Sequence, residues 1–298
     1  MSNADGPIET DGPPLPPRRQ PIFNLPGIVV AVVAVLAGIH LLRTVLPAET
    51  DLGLLRELAF VPGRFTALFA PDKIAEALSA AQGQGALNGE VARYFLGNGS
   101  LLWWTPVTYA FLHASWLHLG FNCLWLVAFG APVARRFGNW RFLAFCLLTA
   151  FAGAITHYLT HLDDLQPVIG ASAAVSGTMA AAARFVFQPG ASLRDLQANP
   201  QLRVPALTLR GMLRDRSAMG FLIVWFIANL LVGIAPQIAG FAGASVAWQA
   251  HVGGFLFGLL AFPLFDRPPS DVPPQNMTLD EPPADAPPTQ GPMSQEPL

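Results

Sequence analysis

Ser172 and His251 are residue types that act together in nucleophilic catalysis, and each lies in a hydrophobic segment long enough to cross a bilayer. Polar and ionisable groups are costly at that depth, so their default interpretation is functional. A histidine that accepts a hydroxyl proton turns serine into a nucleophile for carbonyl carbon. A third polar cluster, from His113 to Asn122, lies upstream of both. Together the three segments predict peptide-bond hydrolysis within the membrane.

The composition is that of a membrane protein. Of the 298 residues 52% are hydrophobic and only 12% are charged, and the mean hydropathy is +0.43, whereas soluble domains contain about 25% charged residues. The net charge of −2 is uninformative, and nothing resembles a nucleic-acid-binding face. We therefore expect an all-α polytopic membrane protein that contacts membrane lipids and no nucleic acid.

Six segments have the roughly 20 apolar residues that a transmembrane helix needs. They cover residues 27–46, 115–134, 142–161, 168–187, 218–235 and 244–264. Most of the Lys and Arg residues fall on one side if the N-terminus is cytoplasmic, so the positive-inside rule predicts six spans with both termini in the cytoplasm. The first span is expected to remain as an anchor, because it is too long for the hydrophobic region of a cleaved signal. The lack of an organelle transit pattern favours a bacterial-type inner membrane.

The two ends differ from the middle of the chain. Residues 1–24 and 268–298 are rich in Pro, and the second stretch is also acidic, so both are expected to be disordered tails. The membrane domain is then residues 25–267. Its two cysteines, Cys123 and Cys146, lie within predicted spans and are interpreted as buried apolar residues rather than a disulfide.

The polar residues of the spans are predicted to lie at a common depth. If the fourth span enters from outside near Val168, Ser172 is in its first turn, and His251 and Asn122 lie about 7 residues, or roughly 10 Å, into their spans. All three then occupy the outer third of the bilayer. His118 is one turn from Asn122 and about 40° around the helix, so the two can face one point.

Small residues predict a close approach of the fourth and sixth spans. The fourth span carries Ala173, Gly177 and Ala181 at intervals of four, and the sixth carries Gly254 and Gly258. Such patterns occur in many membrane bundles for packing alone. Here they adjoin a Ser and a His that must come within hydrogen-bond distance, which favours a functional reading.

The surroundings favour base catalysis by His251. Low dielectric favours the neutral imidazole that a general base requires. An oxyanion needs preorganised donors, and the N–H groups at the start of the fourth span, with His118 and Asn122, could supply them. No acidic residue lies within a span, so a Ser–His dyad is predicted, with Asp163 and Asp164 of an outer loop as less favoured third members.

These residues resemble the rhomboid intramembrane serine proteases over about residues 27–265. The first residues of the nucleophile motif are matched by Gly170-Ala171-Ser172, the HxxxxHxxxN motif by His113, His118 and Asn122, and the AHxxGxxxG motif by Ala250, His251, Gly254 and Gly258. Trp104 and Thr108 match part of a conserved stretch of the family's first loop.

The resemblance implies a six-helix bundle with Ser172 as nucleophile, His251 as base, and His118 and Asn122 as oxyanion donors beside the Ser172 amide. It places Gly170 at the oxyanion site, and His113, Gly254 and Gly258 among supporting residues. It implies no cofactor and no metal. The expected partners are single-span or other transmembrane proteins, cut near the outer face where helix-breaking or small residues ease unwinding.

Two departures from the family pattern lie beside the nucleophile. Ala173 stands where Gly is usual, and its methyl is expected to tighten the site. The family's aromatic residue one turn after the serine is here Ser176. We predict that the Ser176 hydroxyl holds His251 by a hydrogen bond in place of aromatic stacking.

Three other classes of protein, a binding protein without activity, a transporter and a metalloprotease, predict different sequence features. A rhomboid-like protein that only binds transmembrane helices would be expected to lack the Ser or the His. A transporter would be expected to have inverted repeats or a polar path through the whole bilayer. His157 and His161 lie on one helical face and could bind zinc, but the HExxH metalloprotease motif fails because residue 158 is Tyr. His40 has no visible partner.

Overall fold

A computed structural model describes residues 25–98, 100–198, 202–234 and 246–266. The expected tails, 1–24 and 268–298, lie outside these residues. The described chain is helical, and its one strand-like feature is an isolated antiparallel bridge between Phe60 and Val168. The predicted all-α class is therefore confirmed.

The helices follow the order of the spans and of the long loop that separates the first two. They are α1 (Gly27–Val45), α2 (Ala48–Leu58), α3 (Pro62–Thr66), α4 (Pro71–Gly83), α5 (Ala86–Leu96), α6 (Thr105–Thr108), α7 (Trp116–Trp125), α8 (Ala131–Phe137), α9 (Asn139–Thr160), α10 (Ser172–Ala183), α11 (Leu193–Ala198), α12 (Leu209–Arg214), α13 (Arg216–Ile234) and α14 (Trp248–Phe265). A π-helical turn, Leu126–Gly130, joins α7 to α8 without a break.

Within the described ranges, five helical stretches are long and apolar enough to cross a membrane. They are Gly27–Val45, Trp116–Phe137, Asn139–Thr160, Arg216–Ile234 and Trp248–Phe265. Each overlaps one predicted span along nearly its whole length. The protein is therefore a polytopic helical bundle with the composition of an integral membrane protein.

The predicted span at 168–187 differs, because its helix α10 covers only the 12 residues Ser172–Ala183. Before it, Val168 pairs with Phe60 and Gly170 has a φ of 125°, which a helix cannot include. After it, the chain continues as turns. Nearly all of α10 is buried by other helices. The polar backbone groups of the irregular segment before α10 are therefore surrounded by protein rather than lipid. The six predicted spans correspond to five long helices and the shorter α10.

The centre of the bundle is a close crossing of α9, α10 and α14. A Cβ built on Gly177 would overlap Thr149 of α9, and one built on Gly258 would overlap the Gly177 carbonyl group. Thr149 is fully buried, and its hydroxyl donates within its own helix, to the carbonyl of Phe145 at 2.9 Å. These contacts fix α10 and α14 at backbone-to-backbone distance, as small residues permit.

Helix α13 lies at the periphery. Only 11% of its most apolar 18-residue stretch is buried by the rest of the protein, and its buried side chains are Ala218 and Asn229. It is held to α14 by a stacked pair, Trp225 and Phe255, whose ring centroids are 4.0 Å apart. The helix is therefore attached to the core mainly along one side.

The loop that precedes α7 is tied to the first helices by hydrogen bonds to backbone carbonyls. The Trp104 indole N–H donates to Glu57 at 2.9 Å, and the Thr108 hydroxyl donates to Leu58 at 2.8 Å. Arg43 forms an ion pair with Asp51 at 2.6 Å and donates to the carbonyl of His113 at 2.8 Å. The chain around His113 is thus fixed before α7 begins.

Candidate active site

The residues before Ser172 form a tight turn that only glycine fits well. Gly170 has a φ of 125°, and its N–H donates to the Tyr109 carbonyl at 3.0 Å. A Cβ built on Gly170 would lie 2.9 Å from both Nε2 and Cε1 of His118 and 3.8 Å from the Ser172 Oγ. The structure therefore brings the Ser172 hydroxyl, Gly170 and the His118 ring together at the start of α10.

The hydrogen bonds of His118 orient its ring for donation toward this turn. The Ala114 N–H points to the His118 Nδ1 at 3.4 Å, so a neutral ring carries its hydrogen on Nε2. The Ser115 hydroxyl caps α7 by accepting from the His118 N–H at 3.2 Å. One turn on, the buried Asn122 donates to the His118 carbonyl at 3.0 Å. The Nε2–H of His118 thus faces Gly170.

His113 supports the turn from the other side. It is 1% exposed, and its Nε2 lies 3.5 Å from the Ala171 N–H that points to it. Its ring packs edge-on against that of His118, with centroids 5.1 Å apart. Burial, with the nearby His118, lowers the pKa of His113 to about 3, so the neutral form accepts this hydrogen bond at ordinary pH.

His251 lies in the first turn of α14, where its Nδ1 is 2.7 Å from the Oδ1 of Asn229 on α13. The Asn229 Nδ2 donates to the Trp248 carbonyl at 3.3 Å. That carbonyl can only accept, so it assigns the amide nitrogen to its own side and the amide oxygen to His251. The Nδ1 of His251 is therefore the protonated nitrogen of the neutral ring, and Nε2 is unprotonated.

The predicted hydrogen bond between Ser176 and His251 is not formed among the described residues. The Nδ1 of His251 is already bonded to Asn229, which approaches from another helix. Ser172 and His251 line one cavity but are not hydrogen-bonded to each other.

The Ala173 methyl does not point into the site. A Cβ built on Gly153 of α9 would be 2.5 Å from the Ala173 Cβ, so the methyl occupies the space above that glycine. On its other side the Ala173 carbonyl group lies against Gly254 of α14, which leaves no room for a side chain there. The expected tightening of the site by Ala173 is therefore not found, because α9 has a glycine opposite it.

The Ser172 hydroxyl opens into a large cavity of about 1220 Å³. Ser172, Ser176, His118, Asn122 and His251 all contribute to its wall. The rest of the wall is mostly apolar and comes from helices α7, α10 and α13, the segment before α10 and the start of α14. His157, His161 and Asp164 add titratable groups to it. The apolar lining residues include Phe121, Trp125, Phe129, Val175, Met179, Phe221, Val224, Trp225 and Val232. The cavity thus combines a small polar end with apolar walls inside a membrane bundle.

Of the two acidic residues in the loop between α9 and α10, Asp164 lines the same cavity as Ser172 and His251. Asp164 is 3.5 Å from the Nε2 of His157, and the rings of His157 and His161 stack with centroids 4.8 Å apart. Asp163 is exposed. In the described part of the chain no group of three or more His, Cys, Asp or Glu has the geometry of a metal site. His40 contacts Trp116 edge-on at 4.6 Å.

Asn229 is the residue that the sequence analysis missed. A single Asn in an otherwise apolar span is a signal in itself, because an amide is expensive in lipid unless it has partners. From the sequence, a carboxylate and the Ser176 hydroxyl were considered as partners of His251, and the amide of Asn229 was not. Its position on α13 relative to His251 depends on tertiary packing between two helices and could not be read from spacing.

The fold and the site define a polytopic helical membrane protein in which Ser172, His118, His251, Asn122 and Asn229 all line one cavity. A model of the rhomboid domain matches residues 101–267, which is more than half of the chain. The protein belongs to the rhomboid family. The matched region contains α7 to α14 and every residue of the candidate site.

Individual relatives are distant. The chain is 28% identical over 157 residues to a rhomboid protease GlpG of Serratia proteamaculans, covering 53% of this chain and 46% of that protein. It is 28% identical over 166 residues to RHOMBOID-like protein 5 of Arabidopsis thaliana, covering 55% and 45%. RHOMBOID-like protein 6, mitochondrial, of the same plant is 28% identical over 218 residues, covering 73% and 58%. The chain spans about half the length of these relatives.

Proposed function

We propose that the protein is an intramembrane serine endopeptidase that cleaves transmembrane segments of other membrane proteins near the outer face. The observation that carries the proposal is that Ser172 and His251 line one cavity, while Asn229 contacts the Nδ1 of His251 and leaves its Nε2 to accept a proton. Similarity to proteins named rhomboid protease supports the same reaction class.

In the proposed reaction His251 and Ser172 act as a dyad. The Nε2 of His251 accepts the Ser172 proton while Oγ attacks a peptide carbonyl carbon, and the tetrahedral intermediate collapses as the leaving amine takes that proton from Nε2. Water then attacks the acyl-enzyme with the same base, which releases the second product and restores Ser172. No cofactor or metal takes part in this scheme.

The developing oxyanion is placed at the Gly170 turn. Its proposed donors are the N–H of Ser172, which as the first residue of α10 has no acceptor within its own helix, the Nε2–H of His118 and the Asn122 amide. The Ala171 N–H is directed to His113, so it serves the turn rather than the substrate. Because Gly170 has no side chain, the space between the His118 ring and the Ser172 hydroxyl is left for the carbonyl oxygen of the substrate.

The proposed substrate is a single-span or other transmembrane protein that enters beside α13. Helices α7 and α13 both line the cavity, and only 11% of the most apolar stretch of α13 is buried by the rest of the protein. The scissile segment must leave its own helical hydrogen bonds, so small or helix-breaking residues near the cut would lower the cost of binding. Membrane lipids would surround the rest of the substrate helix.

The proposed setting is a bacterial inner membrane with both termini in the cytoplasm, as the distribution of Lys and Arg suggests. In that orientation Ser172 lies toward the outer face. Water for deacylation would then reach the cavity from the outer aqueous phase.

The test is covalent labelling of the purified protein, in lipid vesicles, with a fluorophosphonate probe, which requires no known substrate. Wild type is expected to be labelled, and Ser172→Ala and His251→Ala are not. Ser79→Ala, which changes an exposed serine on α4, is the matched control and should label like wild type. A folded wild-type protein that does not label would refute the enzyme and favour a rhomboid-like protein that only binds transmembrane helices.

A further inference from the structure

We propose that Asn229 of α13 is a positioning residue that fixes the tautomer and the orientation of His251. This rests on the proposed function, in which His251 is the base. The outcome is a relay of three side chains, Ser172, His251 and Asn229, drawn from three helices and ending in an amide rather than a carboxylate.

The contacts of the Asn229 amide allow one assignment of its oxygen and its nitrogen. Asn229 is 7% exposed, and its Oδ1 and Nδ2 have separate partners on α14, the His251 Nδ1 at 2.7 Å and the Trp248 carbonyl at 3.3 Å. Rotating the amide by 180° would set its N–H groups against a protonated Nδ1 and its oxygen against a carbonyl. The observed orientation satisfies both groups, so the Trp248 carbonyl locks the acceptor that faces His251.

The chemical effect is to reserve Nε2 for Ser172. A neutral imidazole has one protonated nitrogen, and an acceptor on Nδ1 selects the tautomer with a lone pair on Nε2. When the ring takes the Ser172 proton, the Asn229 carbonyl dipole still accepts from Nδ1–H and stabilises the imidazolium. Asn229 itself gains and loses no proton, so the step balances as a transfer from Oγ to Nε2.

An amide suits this depth better than an acid would. A carboxylate within a span is strongly disfavoured unless it is paired, whereas an amide is neutral and needs only hydrogen bonds. His118 of α7 and His157 of α9 act electrostatically on His251. Tyr109, His161 and Asp164 line the same cavity and are the other titratable groups that face it among the described residues. Helices α10 and α13 present only Ser172, Ser176 and Asn229 to the polar end of the cavity.

The competing explanation is that Asn229 only binds α13 to α14. Both explanations predict that Asn229→Ala weakens the bundle, so stability cannot separate them. They differ in the pH dependence of labelling and in the tautomer of His251, which a purely structural amide would not set.

The first experiment measures fluorophosphonate labelling rates against pH in lipid vesicles, normalised to folded protein. Asn229→Ala is expected to label about 10- to 100-fold more slowly, as part of the general-base contribution. Asn229→Asp supplies an acceptor with negative charge, which favours the imidazolium, so the pH at which labelling is half-lost on acidification should rise. Ile227→Ala, on the exposed side of α13, should match wild type in rate and profile.

The second experiment needs no activity. Protein labelled with ¹⁵N-histidine contains six His residues, and the His251 signals are assigned by their loss in His251→Gln. A protonated Nδ1 and unprotonated Nε2 are expected in wild type, and mixed tautomers in Asn229→Ala. The opposite tautomer in wild type, or unchanged labelling rate and pH profile in Asn229→Ala, would overturn the proposal. If wild type fails to label, the proposed function is lost, while the tautomer measurement still decides the Asn229–His251 interaction.

Discussion

The carbonyl group of Ala173 on α10 lies directly against the Cα of Gly254 on α14, so the two backbones touch one turn away from the proposed base. No side chain fits between them. The separation of the Ser172 and His251 backbones is therefore fixed by the absence of a Cβ at residue 254.

Replacing Gly254 with Ala should separate the two reacting groups. A Cβ would overlap the Ala173 carbonyl group, and overpacking of this kind costs about 1–3 kcal/mol of stability. A displacement near 1 Å costs about 100-fold in rate, which fluorophosphonate labelling would measure. Gly38→Ala, on α1 with nothing within 4 Å of the new methyl, is the control. Equal labelling in the two variants would show that the contact does not position the pair.

Gly170→Ala should impair the site for two separable reasons. Residue 170 has a φ of 125°, which costs a residue with a side chain about 1–3 kcal/mol, and the new methyl would press on the His118 ring 2.9 Å away. Gly97→Ala has a φ of 70° and no neighbour within 4 Å, so it carries the backbone strain alone. We expect both variants to lose stability in thermal unfolding but only Gly170→Ala to lose labelling.

Acidification should lower the stability of the protein, because His113 takes up a proton when the chain unfolds. The unfolded chain takes up this proton near pH 6.5, whereas burial lowers the pKa in the folded protein to about 3. Between these values the unfolded state binds more protons, so stability increases with pH and is lost as pH falls, by up to about tenfold in the unfolding equilibrium per unit. His113→Gln keeps an acceptor for the Ala171 N–H and should flatten this slope. Identical slopes in denaturant titrations of both proteins would contradict the assignment.

Ala173→Gly should not speed up labelling, although glycine is the usual residue of the family there. The methyl faces Gly153 and not the cavity, so its removal opens no space for substrate. A glycine inside the helix should instead lower stability by about 1 kcal/mol. Ala181→Gly, also buried in α10, is the matched control. An increase in labelling confined to Ala173→Gly would show that the methyl does narrow the site.

Much of the architecture could be predicted because it follows from local patterns. Long apolar runs specified five of the helices, and the small residues at 173, 177, 254 and 258 indicated which helices cross closely. The extent of α10 could not be predicted from hydropathy, since the residues before it are equally apolar. What ends the helix there is the Gly170 conformation and the pairing of Val168 with Phe60, a contact between residues far apart in the chain.

Part of the candidate site could likewise be predicted from local spacing, and part could not. Its members on α7 and the start of α10 have spacings that one helix or one turn converts into proximity, so their grouping could be anticipated. The partner of His251 could not, because Ser176 and Asn229 were both available polar residues and only the packing of α13 against α14 selects between them. Hydrogen-bond partners between helices depend on rotation of each helix about its axis, which an apolar span does not encode.

The peripheral position of α13 has a consequence for the contact between Asn229 and His251. The helix that carries the orienting amide is also little buried by the rest of the protein, and it is held to α14 by that amide and by the Trp225–Phe255 stack. Any displacement of α13 that widened the cavity would withdraw the amide and let the His251 ring turn. His251 would then hold the tautomer and orientation proposed for the base only while α13 packs against α14.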